Sequence, residues 1–238
     1  MTLDKPDIII FDYGKTLGTS DGFDFSRGIE KLWEHVVSAP EWLTPADAEA
    51  FVKKLFEKLN VYRDAGCEIP QQNEMRLAYE YLGVEFDTGY PELEKIFRDG
   101  GSNALAMPYA GELLKYLDHA GIQYGIVSNI NWSGELLRER VTSLFPNYNF
   151  KFIIASSDYV IRKPDPMIFE LALRKAGVSA EKAWYCGDDF SADIIGAHSA
   201  GLFPVWLSYG KNAPETDFSY LSVNDHRGII EILEKKKI

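Results

Sequence analysis

The sequence predicts an α/β protein: a mostly parallel sheet with helices on both faces, interrupted once by a helical insertion. Three observations point there. The chain opens on one short apolar strand, Asp7–Phe11. Beyond residue 103 strands and helices alternate, the pattern of a parallel sheet. Between the two lie about 80 residues of helical periodicity, too many for an ordinary loop. With 238 residues, 46% hydrophobic and 26% charged, the chain has a globular composition on the scale of one to two domains. These features divide it into an α/β core at 1–18 and 104–238 and a helical domain at 19–103.

The elements follow in order. Asp12-Tyr-Gly-Lys-Thr16 breaks the first strand, and Gly18–Gly22 reads as a loop. Thr44-Pro45 is an N-cap with proline at the first helical position. Behind it Ala50, Phe51, Leu55, Phe56 and Leu59 recur at helical spacing, as do apolar residues in Glu74–Leu82 and Pro91–Phe97. Trp33, Trp42, Phe51 and Phe56 are expected in the core of this helical part. Asp99–Asn103 reads as a flexible joint, and two glycine-rich joints predict that the helical part moves against the rest. Then come helix Ala110–His119, strand Tyr124–Val127, helix Glu135–Leu144 and strand Lys151–Ala155. Helix Pro166–Ala176 is framed by Asp165 as N-cap and Gly177 as stop. Strand Ala183–Cys186, helix Ala192–Ala200 and strand Phe203–Leu207 precede a final helix, Arg227–Lys237, with lysines in its last turn.

Composition excludes several function classes. A net charge of −11 argues against a broad nucleic-acid or anionic-membrane surface. No apolar stretch approaches the ~20 residues of a membrane span, and the N-terminus lacks the apolar region of a secretion signal. Two cysteines, Cys67 and Cys186, make no disulfide framework and suggest a reduced, cytoplasmic protein.

Ligand sites of parallel α/β sheets lie at the carboxyl ends of the strands. Those ends carry Asp12, Gly14 and Thr16, then Ser128 and Asn129, then Lys163, then Asp188, Asp189 and Asp193. The set suits phosphoryl transfer. Carboxylates offer hard oxygen ligands to Mg²⁺, Lys163 and Ser128 can hold phosphoryl oxygens, and a carboxylate nucleophile divides one hard step into two.

The same residues carry a family resemblance. Ile8-Ile-Ile-Phe-Asp12-Tyr-Gly-Lys-Thr16-Leu17 resembles the first motif of the haloacid dehalogenase superfamily. Ile126-Val-Ser128-Asn129 is similar to the second, Arg162-Lys163-Pro-Asp-Pro to the third, and Gly187-Asp188-Asp189 through Asp193 to the fourth. The four stand in family order, with the insertion where the family places a helical cap. The resemblance implies a Rossmann-like core and a Mg²⁺-dependent hydrolase of a small phosphorylated metabolite. It implies Asp12 as nucleophile, Ser128 on the phosphoryl oxygens and Lys163 orienting both. Mg²⁺ would be held by Asp12, the Gly14 carbonyl and Asp188, with Asp189 and Asp193 behind them. Thr16 and Asn129 are candidates for substrate contact.

One position departs from the pattern. Family phosphatases carry a second aspartate two residues after the nucleophile as general acid and base; here it is Gly14. Either the backbone there needs glycine's left-handed freedom or the chemistry has changed. A stand-in acid such as His35 could replace the missing group. The alternatives are a haloacid dehalogenase-like reaction, a phosphonatase-like one using Lys53 or Lys54, or phosphometabolite binding without catalysis.

Overall fold

A computed structural model describes residues 4–235 of the chain. Ile8–Phe11 forms β1, four apolar side chains with 0% exposure, as in a strand covered on both faces. Next come β2 (Gly18–Ser20), α1 (Phe25–Trp33), β3 (Val36–Ser38), α2 (Pro45–Asp64), α3 (Gln71–Leu82), β4 (Glu85–Phe86) and α4 (Tyr90–Gly101). β5 (Ala104–Ala106) then pairs antiparallel with β2, tying the entry of the insertion to its exit.

Alternation follows: α5 (Ala110–Ala120), β6 (Gln123–Ser128), α6 (Gly134–Leu144), β7 (Ile153–Ala155), α7 (Pro166–Ala176) and β8 (Ala183–Gly187). A π-helical segment, Phe190–Ile195, runs into α8 (Gly196–Ser199), and the described chain closes with β9 (Phe203–Leu207), β10 (Leu221–Val223) and α9 (His226–Lys235). Six strands form one sheet in the order β10-β9-β8-β1-β6-β7, every neighbouring pair parallel. The sheet is parallel as predicted, and β10 adds a sixth strand that the sequence reading did not place.

Side-chain alternation along β1 assigns its two faces. Ile9 and Phe11 join the cluster under α5, α6 and α9, while Ile8 and Ile10 join the one under α7 and α8. The insertion has a cluster of its own, built on Ile29, Leu32, Met75, Tyr79, Leu93 and Phe97. The predicted helix signals are in place. Thr44 and Asp47 form a reciprocal capping box with Pro45 at the first position of α2. Asp165 accepts from the Met167 N–H at 2.9 Å to cap α7, and Gly177 ends it at φ 71°.

Other expectations need correction. The Asp99–Asn103 joint is the end of a packed helix: Gly100 and Gly101 are buried in α4. A Cβ on Gly101 would lie 2.5 Å from the Phe23 ring, and one on Gly100 2.8 Å from Lys31. These glycines permit close packing, whereas at Gly22, φ 119°, conformational freedom is used. The expected Gly18–Gly22 loop begins as β2. Trp42 is 67% exposed and Phe56 42%, so neither is core. α2 buries only Ala48, and most of its 20 residues ride on the surface. Lys236 and Lys237 lie outside the described residues. Among those residues no helix is long and apolar enough to cross a membrane.

His226 joins α9 to the first loop. It is 0% exposed, and its Nε2 lies 2.7 Å from the Thr16 carbonyl oxygen. Burial lowers its pKa below the ordinary 6.5, against the hydrogen bond to the Thr16 carbonyl. The folded state thus binds this proton less readily than the unfolded chain, and stability falls as pH drops below 6.5. We expect the loss in Tm between pH 7.5 and 5.5 to be larger for the parent than for His226→Gln, followed by thermal melts. Equal losses would show that His226 does not drive the change.

Candidate active site

β1 occupies the switch point of the sheet, with β8 on one side and β6 on the other. Crevices of α/β sheets open at such points. The Asp12 N–H continues the ladder, donating to the Cys186 carbonyl at 2.9 Å, so the Asp12 side chain emerges at the strand's end. Ser128 closes β6 and Gly187 closes β8. A cavity of about 510 Å³ opens over these ends, lined by Asp12, Gly14, Ser128, Lys163, Asp188 and Asp193 among others.

Lys163 is 3% exposed, and its ammonium has an acceptor for each of its three protons. It donates to Asp12 Oδ1 at 2.7 Å, Asp193 Oδ1 at 2.6 Å and Tyr185 Oη at 2.8 Å. Tyr185 in turn donates to the Val127 carbonyl at 2.9 Å. Asp193 Oδ2 accepts from the Asp189 N–H at 3.0 Å. Gly187 makes room for that carboxylate, since a Cβ there would lie 2.1 Å from Asp193 Oδ2. Burial opposes the charge on Lys163, but Asp12 and Asp193 outweigh it and raise its pKa.

The carboxylates carry the opposite strain. Burial raises Asp12 to about 7; Lys163 pulls it down, while Asp193 and Asp188 push it up. Burial and Asp193 also raise Asp188. Oxygens of Asp12, Asp188 and Asp193 lie within 4.8 Å of one another. Lys163 occupies Asp12 Oδ1 and Asp193 Oδ1, but among the described residues no donor reaches Asp12 Oδ2 or the Asp188 carboxylate. Converging, unpaired hard oxygens fit a small divalent cation.

The other predicted residues divide. Ser128 is 3% exposed and lines the cavity, and no described residue bonds its hydroxyl. Thr16 is fully buried and does not line the cavity, so it is corrected from a substrate contact to part of the turn beneath it. Asn129 borders the cavity, but its amide is spent on the chain. It donates to the Lys163 carbonyl at 2.8 Å and accepts from the Lys163 N–H at 2.7 Å. Its role here is to hold the Lys163 loop. Asp189 is exposed and caps the next helical segment, accepting from the N–H groups of Ser191 and Ala192.

Gly14 is explained by neither a left-handed backbone nor crowding. The positive φ in this turn belongs to Lys15, at 55°. A Cβ on Gly14 would meet only Asp12 Oδ2, at 4.0 Å. His35 does not fill the gap, since it pairs with Asp87 at 2.9 Å and is absent from the cavity wall. Lys53 and Lys54 are absent from that wall as well. Every carboxylate on the wall belongs to the acidic cluster or to the Asp189 cap. Tyr13, also on the wall, is pushed up to about 12 by burial. Among the described residues on the wall, no free acid stands in for the missing aspartate.

Sequence reasoning missed the far wall: Phe23, Arg98, Trp132, Arg140 and Arg162. Arg98 donates to Gln71 Oε1 at 2.6 Å and Asn131 Oδ1 at 2.7 Å, and its guanidinium lies 4.5 Å from the Trp132 ring. Burial pulls it down to about 9, against Glu94 and Glu74. Glu94 accepts from the Ser133 N–H at 3.0 Å and the Ser133 hydroxyl at 2.7 Å, seating α4 on the start of α6. Tyr185 was also missed, because a tyrosine inside an apolar strand gives no sign of where its hydroxyl ends.

The model of the haloacid dehalogenase-like hydrolases matches residues 48–206, two thirds of the chain. The chain belongs to this family. The match begins after Asp12 and Gly14, so the first motif rests on the geometry above. A glyceraldehyde 3-phosphate phosphatase of Pyrococcus furiosus is 28% identical over 196 residues, 65% of this chain and 80% of its own. A phosphoserine phosphatase of Thermus thermophilus is 33% identical over 155 residues, covering 65% of this chain and 61% of its own. Solved structures share the fold. A 2-haloacid dehalogenase of Pseudomonas syringae superposes with a TM-score of 0.66 at 22% identity over 96% of this chain and 98% of its own. A phosphatase of the family from Thermococcus onnurineus gives 0.63 at 19% identity over 99% and 100%.

Proposed function

We propose that the chain is a phosphomonoester hydrolase that takes a small phosphorylated metabolite through an aspartyl-phosphate on Asp12. One observation carries the reading: one Asp12 oxygen is anchored on Lys163, the other meets no donor among the described residues, and an oxygen of the Asp188 carboxylate, likewise without a donor there, lies within 4.8 Å of an Asp12 oxygen. A carboxylate that served only to pair with a lysine would need no unpaired acid beside it. The phosphatase names of the relatives in two organisms support the substrate class.

In this mechanism the Asp12 carboxylate attacks phosphorus, and the bond to the leaving oxygen breaks with its electron pair. Lys163 keeps Asp12 oriented, and Ser128 donates its hydroxyl to a phosphoryl oxygen. Asp12, Asp188 and the Gly14 carbonyl would hold Mg²⁺, which when bound offsets phosphoryl charge. With no acid at position 14, the leaving oxygen takes its proton from water. Water then hydrolyses the acyl phosphate, which restores Asp12 and releases phosphate. We read residues 19–103 as a cap over residues 1–18 and 104–238, excluding water and selecting substrate.

The acidic cluster disfavours a dehalogenase reading, and the positions of Lys53 and Lys54 disfavour a phosphonatase. The test is turnover of acetyl phosphate, p-nitrophenyl phosphate and sugar phosphates with and without Mg²⁺. Activity that needs Mg²⁺ and falls by about 10⁴-fold or more in Asp12→Asn is expected, as for the loss of a nucleophile. Turnover that survives in Asp12→Asn would remove the nucleophile from the scheme.

A further inference from the structure

A second, half-open cavity of about 390 Å³, lined mostly by the helical insertion, is left unused by the chemistry at Asp12. Its wall is mainly apolar, with Phe25, Ile29, Leu32, Met75 and Phe97 prominent. The cavity is in the size range of ligand pockets, which are mostly apolar with a few placed polar groups.

Two features tie it to a ligand of the reactive cavity. Phe23 and Arg98 line both spaces, so the two adjoin. Phe23, Phe25 and Phe97 hold one another at ring separations of 5.1 to 6.2 Å, giving a preformed aromatic wall. Tyr79 also lines the apolar cavity and is 1% exposed. Arg98, at the junction, is held by the neutral amides of Gln71 and Asn131, with no carboxylate in ion-pair contact.

The reactive cavity supplies an independent constraint. It has no free acid to protonate a leaving group, and a phenol, with a pKa of about 10, departs as an anion far more readily than an aliphatic alcohol. An aromatic leaving group meets both requirements.

We propose that the substrate is a small aryl phosphate monoester, with its phosphoryl group at Asp12 and its ring in the insertion cavity past Phe23 and Arg98. Attack by Asp12 breaks the phosphorus–oxygen bond to the ring, and the electron pair leaves on the phenolate, which is then protonated by water. The inference rests on the hydrolase reading and names its substrate class.

The test compares kcat/KM for 1-naphthyl, phenyl and glycerol phosphates in the presence of Mg²⁺. The first two have similar leaving groups and differ in how far they fill the cavity. We expect 1-naphthyl phosphate to be preferred over phenyl phosphate by about tenfold or more, from the added buried area. Val52→Trp should abolish that preference, and Met75→Phe, a second way of filling the space, guards against a folding defect in the first. Binding of 1-naphthyl phosphate to Asp12→Asn, read by naphthyl fluorescence, should weaken by a similar factor when either filling substitution is added. Equal turnover of all three esters, unmoved by both substitutions, would overturn the aryl assignment and leave a phosphatase of other specificity. Tight binding to Asp12→Asn that is sensitive to Val52→Trp, with no turnover of any ester by the parent, would keep the aryl site and overturn the hydrolase reading.

Discussion

Gly14→Asp should raise kcat on aliphatic phosphate monoesters by about 10²–10⁴-fold, the usual worth of a general acid and base. The backbone accepts the change. Gly14 has no left-handed φ, and its would-be Cβ clears everything except Asp12 Oδ2, 4.0 Å away. A carboxyl introduced there would stand beside the nucleophile, in reach of a leaving oxygen. Acetyl phosphate, whose leaving group needs no proton, should gain far less, and aryl esters should fall between. Measuring kcat across the three classes together with Tm separates chemistry from folding. An unchanged kcat on the aliphatic esters in a variant that melts like the parent would show that protonation does not limit this protein.

Lys163→Met should cost both activity and stability. The ammonium is the shared donor of Asp12, Asp193 and Tyr185, all within 2.8 Å. Without it two buried carboxylates face each other unneutralised, and breaking such a pair from one side costs about 3–5 kcal/mol. That is a large part of the 5–15 kcal/mol that holds a typical domain folded. Turnover should fall by about 10²–10³-fold or more, as when a preorganised donor is removed. Lys163→Arg should not restore it, because a planar fork cannot reproduce three convergent contacts from one nitrogen. Adding Asp193→Asn to Lys163→Met should recover part of the lost stability, since one of the stranded charges is gone. Denaturant melts of the single and double variants measure this, and strict additivity would refute the coupling.

Much of the α/β core was legible because its signals are local. Ile8–Phe11 is uniformly apolar, Thr44-Pro45 and Asp165-Pro166 announce helix starts, and Gly121 and Gly177 stop helices in the left-handed conformation. Asp12, Ser128, Lys163 and Asp188 could be gathered into one list because parallel strands deliver their carboxyl ends to a single edge. The errors came where composition stood in for geometry. Gly100 and Gly101 looked like a joint because glycine signals freedom, but here they make room for Phe23 and Lys31. Asn129 looked like a substrate contact, yet both ends of its amide hold the Lys163 backbone.

The sequence by itself determined the layered α/β architecture and the set of residues at the strand ends, because periodicity and capping are written in neighbouring residues. Only the tertiary structure decided which oxygen of Asp12 is free, that Tyr185 completes the Lys163 network, that Gly14 has room for a side chain, and that Phe23 and Arg98 join two cavities. Those properties depend on distances between residues such as Phe23 and Arg98 or Asp12 and Asp193, far apart in the chain. No local pattern encodes them until the sheet and the insertion have packed.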